Sequence, residues 1–353
     1  MCCPLSDRSA KSLATRSIVR GVMNNGSNHA VELGELADFL RSNPALGAKN
    51  EIKLVSDVLG AGSWVHGPGD DGAVVTARPG REQGASDADQ VIACGEALLP
   101  AFVASDPYGA GVAAVLTNVN DLAAMGATPL AIVDTIVGTS ELAREALRGM
   151  RDACGLYDVA LVGGHLTLHD GAPAISAFGV GRAAAVLSTT NAAAGQSLIV
   201  AACTTGTMRS DFPFFSSLEA RGTRMADDVR VLASVAASGA CVAAKDVSIA
   251  GLVGSLAMLL EWSQLGVTLE LDRLPCPVGQ PMQAWLTCFP AYAFLLCSPP
   301  GREADCLSAF HARGLEAAVV GLIDESGLLK LRSGGRRATV IDLVASEVTG
   351  LAH

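Results

Sequence analysis

The chain has 353 residues, half of them hydrophobic, and a formal net charge of −10 at pH 7. This length predicts two domains, and an acidic chain without a basic cluster is a poor candidate for nucleic-acid binding. No apolar run approaches the ~18 residues that a membrane-spanning helix needs, so we expect no membrane partner.

The ten cysteines show neither a C-x-x-C pair nor zinc-site spacing. Most lie in apolar stretches, where cysteine behaves as a small buried hydrophobe. We therefore expect a reducing, cytoplasmic compartment.

Residues 1–28 carry four basic residues, one acid and several serines, without hydrophobic periodicity. The continuous apolar core of a secretory signal is absent from this stretch. We predict a disordered tail; a transit-like segment and an over-extended start, with Met23 as an alternative initiator, are the other interpretations.

The structured part is predicted to begin with a helix over 29–42 and a short helix over 51–59. In the second helix Lys53 and Asp57 have the i,i+4 spacing of a surface ion pair. A glycine-rich turn over 67–72 then carries Asp70 and Asp71 into a strand. A strand over 90–94 follows and leads to Glu96.

The next stretch is predicted to be a long buried helix with a signal at each end. Asp106 is a suitable N-cap and Pro107 fits the first helical position. Gly126 can adopt the left-handed conformation that ends a helix, and Pro129 prevents continuation. Nearly every side chain between these ends is small or apolar.

Asn118 and Asp121 interrupt this apolar helix and, being three residues apart, share one face. A buried carboxylate is costly unless it is paired, hydrogen-bonded or bound to a metal. Taken alone, the aspartate is equally well explained as a residue that caps a helix or tethers a loop.

A β–α unit is predicted next, with a strand over 130–137 and a helix over 140–156. A strand over 159–162 then runs into a glycine turn containing Gly163, Gly164 and His165. Ligands of α/β sheets bind at such strand ends. His165 and His169 could form a metal pair, but we favour a hydrogen-bonding role in the loop.

A final strand over 174–181 closes a first domain over 29–183, and 184–196 is a linker of small residues. A second α/β domain over 197–353 is predicted from alternating apolar strands and helices. It contains Arg209, either a surface residue or a ligand for an anion. Lys245 and Asp246 precede an apolar helix that ends near Glu261.

Three motifs in this order resemble the family of aminoimidazole ribonucleotide synthetase, selenophosphate synthetase, thiamine-monophosphate kinase and the hydrogenase-maturation dehydratase. They are Gly69-Asp70-Asp71-Gly-Ala, Asn118-x-x-Asp121-Leu-Ala-Ala-Met125-Gly126-Ala-x-Pro129 and Lys245-Asp246-Val-Ser248-x-x-Gly251-Leu252. The likeness covers about residues 50 to 345. The segment over 96–108 and the glycine–glycine–histidine stretch look closest to selenophosphate synthetase.

The resemblance implies an α/β fold of two domains, with the sheets of the N-terminal domain pairing in a homodimer. It implies ATP and Mg²⁺ in the cleft between the domains. By the same resemblance the metal ligands are Asp70, Asp71, Glu96, Asp121 and Asp246, of which Asp71, Asp121 and Asp246 are also catalytic. The implied nucleotide-binding residues are Gly69, Asn118, Asp121, Gly163, Gly164, His165 and Lys245.

Electrostatics explains why such acidic motifs would need a metal. A carboxylate about 4 Å from a phosphate oxygen costs on the order of 4 kcal/mol at an effective dielectric near 20. Hard Mg²⁺ binds carboxylate and phosphate oxygens together, which converts a repulsive cluster into a phosphoryl-transfer site.

The chain also departs from each family member that it resembles. Selenophosphate synthetase carries a reactive Cys or Sec shortly before its aspartates, whereas no cysteine lies between Cys3 and Asp71 here. The acidic–glycine–x–histidine–phenylalanine stretch of the thiamine enzyme, the terminal cysteine of the dehydratase and the glycine–threonine–lysine loop of the purine enzyme are also missing.

We therefore predict an ATP- and Mg²⁺-dependent enzyme that phosphorylates or activates an unidentified small molecule. A thiamine-monophosphate kinase-like or selenophosphate synthetase-like activity is one alternative. A nucleotide-binding regulatory or scaffold protein without turnover is another.

Overall fold

A computed structural model describes residues 33–60, 69–75 and 90–351 of the chain. The predicted tail over 1–28 and the start of the first predicted helix lie outside the described residues. We call residues 33–60 the N-terminal segment, 69–183 the first half and 197–351 the second half. Within the described ranges, no helix is both long and apolar enough to cross a bilayer.

The first half is a mixed sheet covered by helices. Its strands are β1 (Ala73–Val74), β2 (Gln90–Ala97), β3 (Thr128–Gly138), β4 (Ala160–Leu168) and β5 (Ala174–Ala183). They are arranged in the order β1-β2-β5-β3-β4, in which only β3 and β4 are parallel. Three helices of the N-terminal segment precede them in the chain, so the helices here are numbered α4 (Pro100–Ser105), α5 (Pro107–Ala124) and α6 (Ser140–Tyr157).

The structure confirms the predicted long helix and both of its ends. Asp106 Oδ1 accepts a hydrogen bond of 2.8 Å from the backbone N–H of Gly109, and Pro107 is the first residue of α5. At the other end Gly126 adopts a left-handed φ of 73°. Because α5 packs on the sheet and also contacts the helix Met225–Ala237 and the strand Ala243–Asp246 of the second half, it is buried on nearly every side.

The second half contains a seven-stranded sheet and a small three-stranded sheet. Its strands are β6 (Ser197–Ala202), β7 (Thr207–Met208), β8 (Phe214–Ser216), β9 (Ala243–Asp246), β10 (Gly266–Glu270), β11 (Phe289–Pro290), β12 (Ala293–Ser298), β13 (Glu316–Asp324), β14 (Leu328–Ser333) and β15 (Arg336–Asp342). The large sheet has the order β15-β14-β10-β13-β6-β12-β9 and the small one β11-β8-β7. The helices are α7 (Leu218–Arg221), α8 (Met225–Ala237), α9 (Gly251–Glu261), α10 (Met282–Thr287) and α11 (Glu303–His311).

The two faces of the seven-stranded sheet contribute to different hydrophobic cores. One face, with α8 and α11, shares a continuous core with α5 and α6 of the first half. The other face packs against α9. The two halves are therefore joined by a common core as well as by the chain between them.

The N-terminal segment packs on the second half, although it precedes the first half in sequence. It contains α1 (Leu33–Arg41), α2 (Pro44–Gly47), a 3₁₀ turn (Ala48–Ile52) and α3 (Lys53–Leu59). The buried side chains of α1 join the core beside α9. The guanidinium of Arg41 donates to the carbonyls of Thr339 and Val340 on β15. The domain boundary predicted at residue 29 stays a prediction, but among the described residues α1 packs on the second half and not on the first.

The last described residues are fixed to the end of α9 by a buried carboxylate. Glu261 accepts hydrogen bonds from the backbone N–H groups of Val348 and Thr349 and from the Thr349 hydroxyl. Nearby, Lys53 Nζ lies 3.0 Å from Glu347 Oε2. The predicted pairing of Lys53 with Asp57 is therefore wrong, because the ammonium of Lys53 forms its ion pair with Glu347 instead.

Two glycines allow α5 and α6 to cross at backbone contact. A methyl group on Gly111 would overlap the carbonyl oxygen of Ala146, and one on Gly149 would overlap that of Tyr108. Glycine at both positions is required by this crossing.

We expect Gly111→Ala to lower the free energy of unfolding by about 2 kcal/mol or more, because the new methyl group must push two helix backbones apart. Gly155→Ala on the exposed side of α6, where nothing lies within 4 Å of an added methyl group, is the matched control. It should raise stability by up to about 1 kcal/mol through helix propensity. Urea unfolding measures both, and equal effects would contradict the close crossing.

Candidate active site

Three carboxylates from separate parts of the chain meet where the two halves join. Asp71 belongs to the turn before β1, Asp121 to the last turn of α5, and Asp246 is the final residue of β9. One oxygen atom from each of the three lies within 4.8 Å of the others. We call these three residues the acidic cluster.

Backbone structure explains why Asp246 reaches this point. β9 is an edge strand of the seven-stranded sheet, paired with β12 so that Asp246 lies opposite Phe294. The backbone N–H of Asp246 donates to Asp71 Oδ2 at 3.1 Å, so the turn of the first half is bonded directly to the second. Asp246 thus ends a strand, and α9 begins only at Gly251.

Lys245 supplies one positive charge to the cluster. Its ammonium forms an ion pair with Asp71 and a 3.2 Å hydrogen bond to the carbonyl oxygen of Gly69. Both side chains of this pair are nearly inaccessible to water. Gly69 and Lys245, both predicted to bind the nucleotide, are thereby brought to the cluster.

The remaining negative charge raises the pKa values of the other carboxyls. Burial, followed by repulsion from Asp246 and Asp71, raises the pKa of Asp121 well above its usual range. Burial and the charge of Asp71 raise the pKa of Asp246 to about 7. Burial alone would lower the pKa of Lys245, but the charges of Asp71 and Asp246 outweigh this effect and raise it.

This donor set fits a divalent cation. Three carboxylates and one ammonium leave a net negative charge in a largely buried site, and hard cations such as Mg²⁺ prefer carboxylate oxygens. Asp71, Asp121 and Asp246 would hold the ion, which when bound would attract the phosphate oxygens that the bare cluster repels.

Glu96 lies on β2, on the same face of the sheet as Cys94 and Ala177, which faces α5. Its side chain is exposed and lies outside the close group of three oxygens. Its charge nevertheless contributes to the raised pKa of both Asp121 and Asp246, after the larger effects of burial and of the other carboxylates. Its role as a metal ligand stays a prediction.

Asp70 has a different set of contacts from Asp71. Its carboxylate accepts hydrogen bonds from the Ser188 hydroxyl, the Thr189 hydroxyl and the Thr189 backbone N–H, at 2.7–2.8 Å. In this structure Asp70 therefore fastens the chain between the two halves, and its metal role remains untested. Sequence reasoning missed Ser188 and Thr189; their only signal was the hydroxyl-rich run Ser188-Thr189-Thr190.

Asn118 is fully buried between α5 and the sheet. Its amide nitrogen donates to the carbonyls of Ala114 (2.8 Å) and Ala177 (3.2 Å), and the Cys94 thiol lies 3.3 Å from its side-chain oxygen. These contacts join α5 to β2 and β5. A contact of Asn118 with metal or phosphate stays a prediction.

The predicted glycine turn over 163–167 is wrong, because these residues lie inside β4. β4 pairs with β3 in parallel up to Leu168, with one irregularity at Val162–Gly163. Gly164 lies so close to Asp134 that a methyl group there would overlap its carboxylate. β4 occupies the sheet edge opposite β1, so within one protomer the structure does not bring Gly163, Gly164 and His165 to the acidic cluster.

Two models of one known protein family match most of the first and second halves. The model of the AIR synthase related protein N-terminal domain matches residues 69–183, and that of the C-terminal domain matches residues 204–333. The uncharacterized protein sll0787 of Synechocystis sp. is 33% identical over 258 residues, which are 72% of this chain and 80% of that protein. A thiamine-monophosphate kinase of Rhodopirellula baltica is 32% identical over 169 residues, 47% of this chain and 50% of the kinase.

Solved structures share the fold at low sequence identity. T. maritima PurL complexed with ADP aligns with a TM-score of 0.70 and 17% identity, over 88% of this chain and 51% of PurL. This chain therefore spans about half the length of that protein. AaThiL complexed with AMPPCP and TMP aligns with a TM-score of 0.60 and 18% identity, over 82% of this chain and 96% of AaThiL.

The raised pKa of Asp246 predicts that the ligand-free protein is more stable at pH 6 than at pH 8. The folded state binds this proton more tightly than the unfolded state does, so the contribution is present at low pH and lost as the pH rises through about 7. The expected difference is about 1 kcal/mol. Asp246→Asn should remove it, whereas Asp272→Asn, an exposed carboxylate with a lowered pKa, should not. Denaturant unfolding at the two pH values measures these differences in stability. The same difference in the wild type, Asp246→Asn and Asp272→Asn would contradict this account.

Proposed function

Because the chain belongs to the AIR synthase-related protein family, we propose that it is an ATP- and Mg²⁺-dependent enzyme that transfers the terminal phosphoryl group to a small molecule. The observation that carries this proposal is the meeting of Asp71, Asp121 and Asp246 between the two halves. An oxygen nucleophile of the acceptor would form the new P–O bond as ADP leaves with the electrons of the broken one.

The residues of this chain would have separate tasks in that reaction. Asp71, Asp121 and Asp246 would hold the cation, and Lys245 would keep Asp71 in place through their buried ion pair. Because the site excludes most water, the charges would act on phosphate with little screening. Support also comes from the relatives, which include a thiamine-monophosphate kinase and solved structures in complex with ATP, ADP or AMPPCP.

We expect ATP binding to require the divalent ion, because the bare cluster repels phosphate. Calorimetry should show Mg·ATP binding to the wild type and little binding in excess chelator. Asp246→Asn should weaken Mg·ATP binding at least tenfold, while Asp272→Asn, which makes the same change of charge at an exposed site, should leave it unchanged. Equal affinity with and without magnesium would contradict the metal-bridged site.

Turnover separates an enzyme from a binding protein with the same fold. Incubation of the wild type with Mg·ATP and a metabolite pool, followed by phosphorus NMR, should reveal a new phosphorylated species or released phosphate. Asp246→Asn should abolish that signal. Tight Mg·ATP binding without any turnover would favour the regulatory or scaffold alternative.

We further propose that the protein is a homodimer formed through the sheet of the first half. The face turned away from α5 carries Val133, Phe178 and Val180 and remains partly or largely exposed, with Phe178 47% accessible. The strand pairing places Gly163 and His165 on this same face. In a dimer these two residues would therefore lie in or beside the interface.

Phe178→Asp should convert the dimer to a monomer, because two charges would then be buried at a symmetric contact. Leu322→Asp, which changes an exposed leucine of β13 in the second half, should leave the dimer intact. Light scattering at micromolar concentration measures both masses. A monomeric wild type would remove the proposal.

A further inference from the structure

The hairpin of β14 and β15 is a basic exception on an acidic protein. Residues 328–337 carry four basic side chains and no acid, although the net charge of the chain is −10. We call these four residues, Lys330, Arg332, Arg336 and Arg337, the basic hairpin. Strand pairing creates this cluster, which was not predicted from the sequence, by setting Arg332 directly opposite Arg337 and Lys330 opposite Thr339.

The side chains of the basic hairpin lie on a side of the large sheet that has no helix over these strands. Leu329 and Leu331 are buried in the core beside α9, so Lys330 and Arg332, which alternate with them, lie on the opposite face. The core under α8 and α11 contains residues of β6, β12 and β13 but, within the described chain, none of β14 or β15. This face is therefore open to a partner.

Arg332 and Arg337 form an unfavourable pair. Side chains directly opposite each other on neighbouring strands lie about 5 Å apart, and two like charges there destabilise the sheet. Glu270 on β10 offsets only one of them, because its carboxylate forms a bidentate ion pair of 2.5 Å with Arg332. Among the residues that the structure describes, Lys330, Arg336 and Arg337 form no ion pair and no side-chain hydrogen bond. The charge ladder Glu270–Arg332–Arg337 thus lacks an anion on its outer side.

The hairpin is also held firmly, so its charges are arranged before a ligand arrives. Asp272 accepts hydrogen bonds from the Ser333 hydroxyl at 2.6 Å and from the Gly334 N–H at 2.9 Å. Arg41 occupies the backbone carbonyls of Thr339 and Val340 on the edge strand β15. Because these carbonyls are taken, a ligand would bind through the basic side chains and not by adding a strand.

We propose that the basic hairpin docks a short acidic segment of a partner protein, whose Asp or Glu carboxylates bind Arg336 and Arg337. Arginine binds carboxylates through two parallel hydrogen bonds, as Arg332 already does with Glu270. The hairpin lies at the sheet edge opposite β9, so this surface is separate from the acidic cluster and does not depend on the proposed function.

The size and composition of the surface favour a short protein segment over other anions. Charges are screened beyond about 8 Å at physiological salt, so a short segment is attracted by the hairpin and is little affected by the negative remainder of the protein. A nucleic acid or an anionic membrane would extend over that remainder. The described residues of this face also include no aromatic side chain on which bases could stack.

A labelled synthetic peptide of alternating Glu and Ser, with a Gln and Ser peptide as the neutral control, tests the proposal by fluorescence anisotropy. We expect Arg336→Gln/Arg337→Gln to bind the Glu peptide at least about tenfold more weakly than the wild type does. Arg144→Gln/Arg148→Gln removes two exposed arginines from α6 and should stay within about twofold. Neither protein should bind the Gln peptide, and Mg·ATP affinity should be the same in all three proteins.

Urea unfolding checks the structural premise independently. Arg337→Gln should be at least as stable as the wild type, because it removes one of two opposed like charges. A loss of stability would show that Arg337 stabilises the fold and would overturn its assignment to a ligand.

Three binding results would also overturn the proposal. They are a wild type that does not bind the Glu peptide, equal losses in the two double variants, and hairpin-dependent binding of poly(U) RNA or phosphatidylserine vesicles that is tighter than binding of the peptide. The first two would remove the docking surface, and the third would assign it to a nucleic acid or a membrane.

Discussion

The mutual repulsion of three close carboxylates, one buried and two partly buried, is the constraint on which the rest of the structure depends. At 4.8 Å, two such charges repel by on the order of 3 kcal/mol at an effective dielectric near 20. Lys245 offsets part of this repulsion, and protonation of Asp246 or Asp121 relieves more of it. The arrangement persists because each aspartate belongs to a well-packed element and cannot move away without disrupting that element.

A second buried charge group in the same molecule shows what a purely structural arrangement looks like. Asp228 on α8 is fully buried and accepts two 2.7 Å hydrogen bonds from Arg221 and one of 3.2 Å from Arg313. Two cations thus surround one anion, and every charge has a partner. The acidic cluster has the opposite balance, with three anions around one cation. This excess of negative charge distinguishes a site that can bind a cation from a charge group that only stabilises the fold.

Local sequence signals predicted those elements whose ends are determined by their own residues. Asp106, Pro107 and Gly126 mark both ends of α5. The motif around Gly163 was misread because two adjacent glycines suggest a turn, whereas parallel pairing with β3 keeps them extended. The last strands, β14 and β15, were not predicted, because their alternating charged residues resemble a solvated loop until a partner strand is known.

The site was predictable only in part, because its residues come from elements that are distant in sequence and meet only through packing. The resemblance selected Asp71, Asp121 and Asp246 along with Asp70 and Asn118, but which of these side chains share one point depends on the packing of α5 against β9.

The placement of α1 on β15 also has a consequence for biosynthesis. Arg41 contacts Val340 and Lys53 contacts Glu347, so these contacts span almost the whole described chain. On the ribosome, the N-terminal segment emerges before both halves but must wait for the last strand of the second half before it can bury its leucines. Until then those leucines are exposed surface that a chaperone can bind.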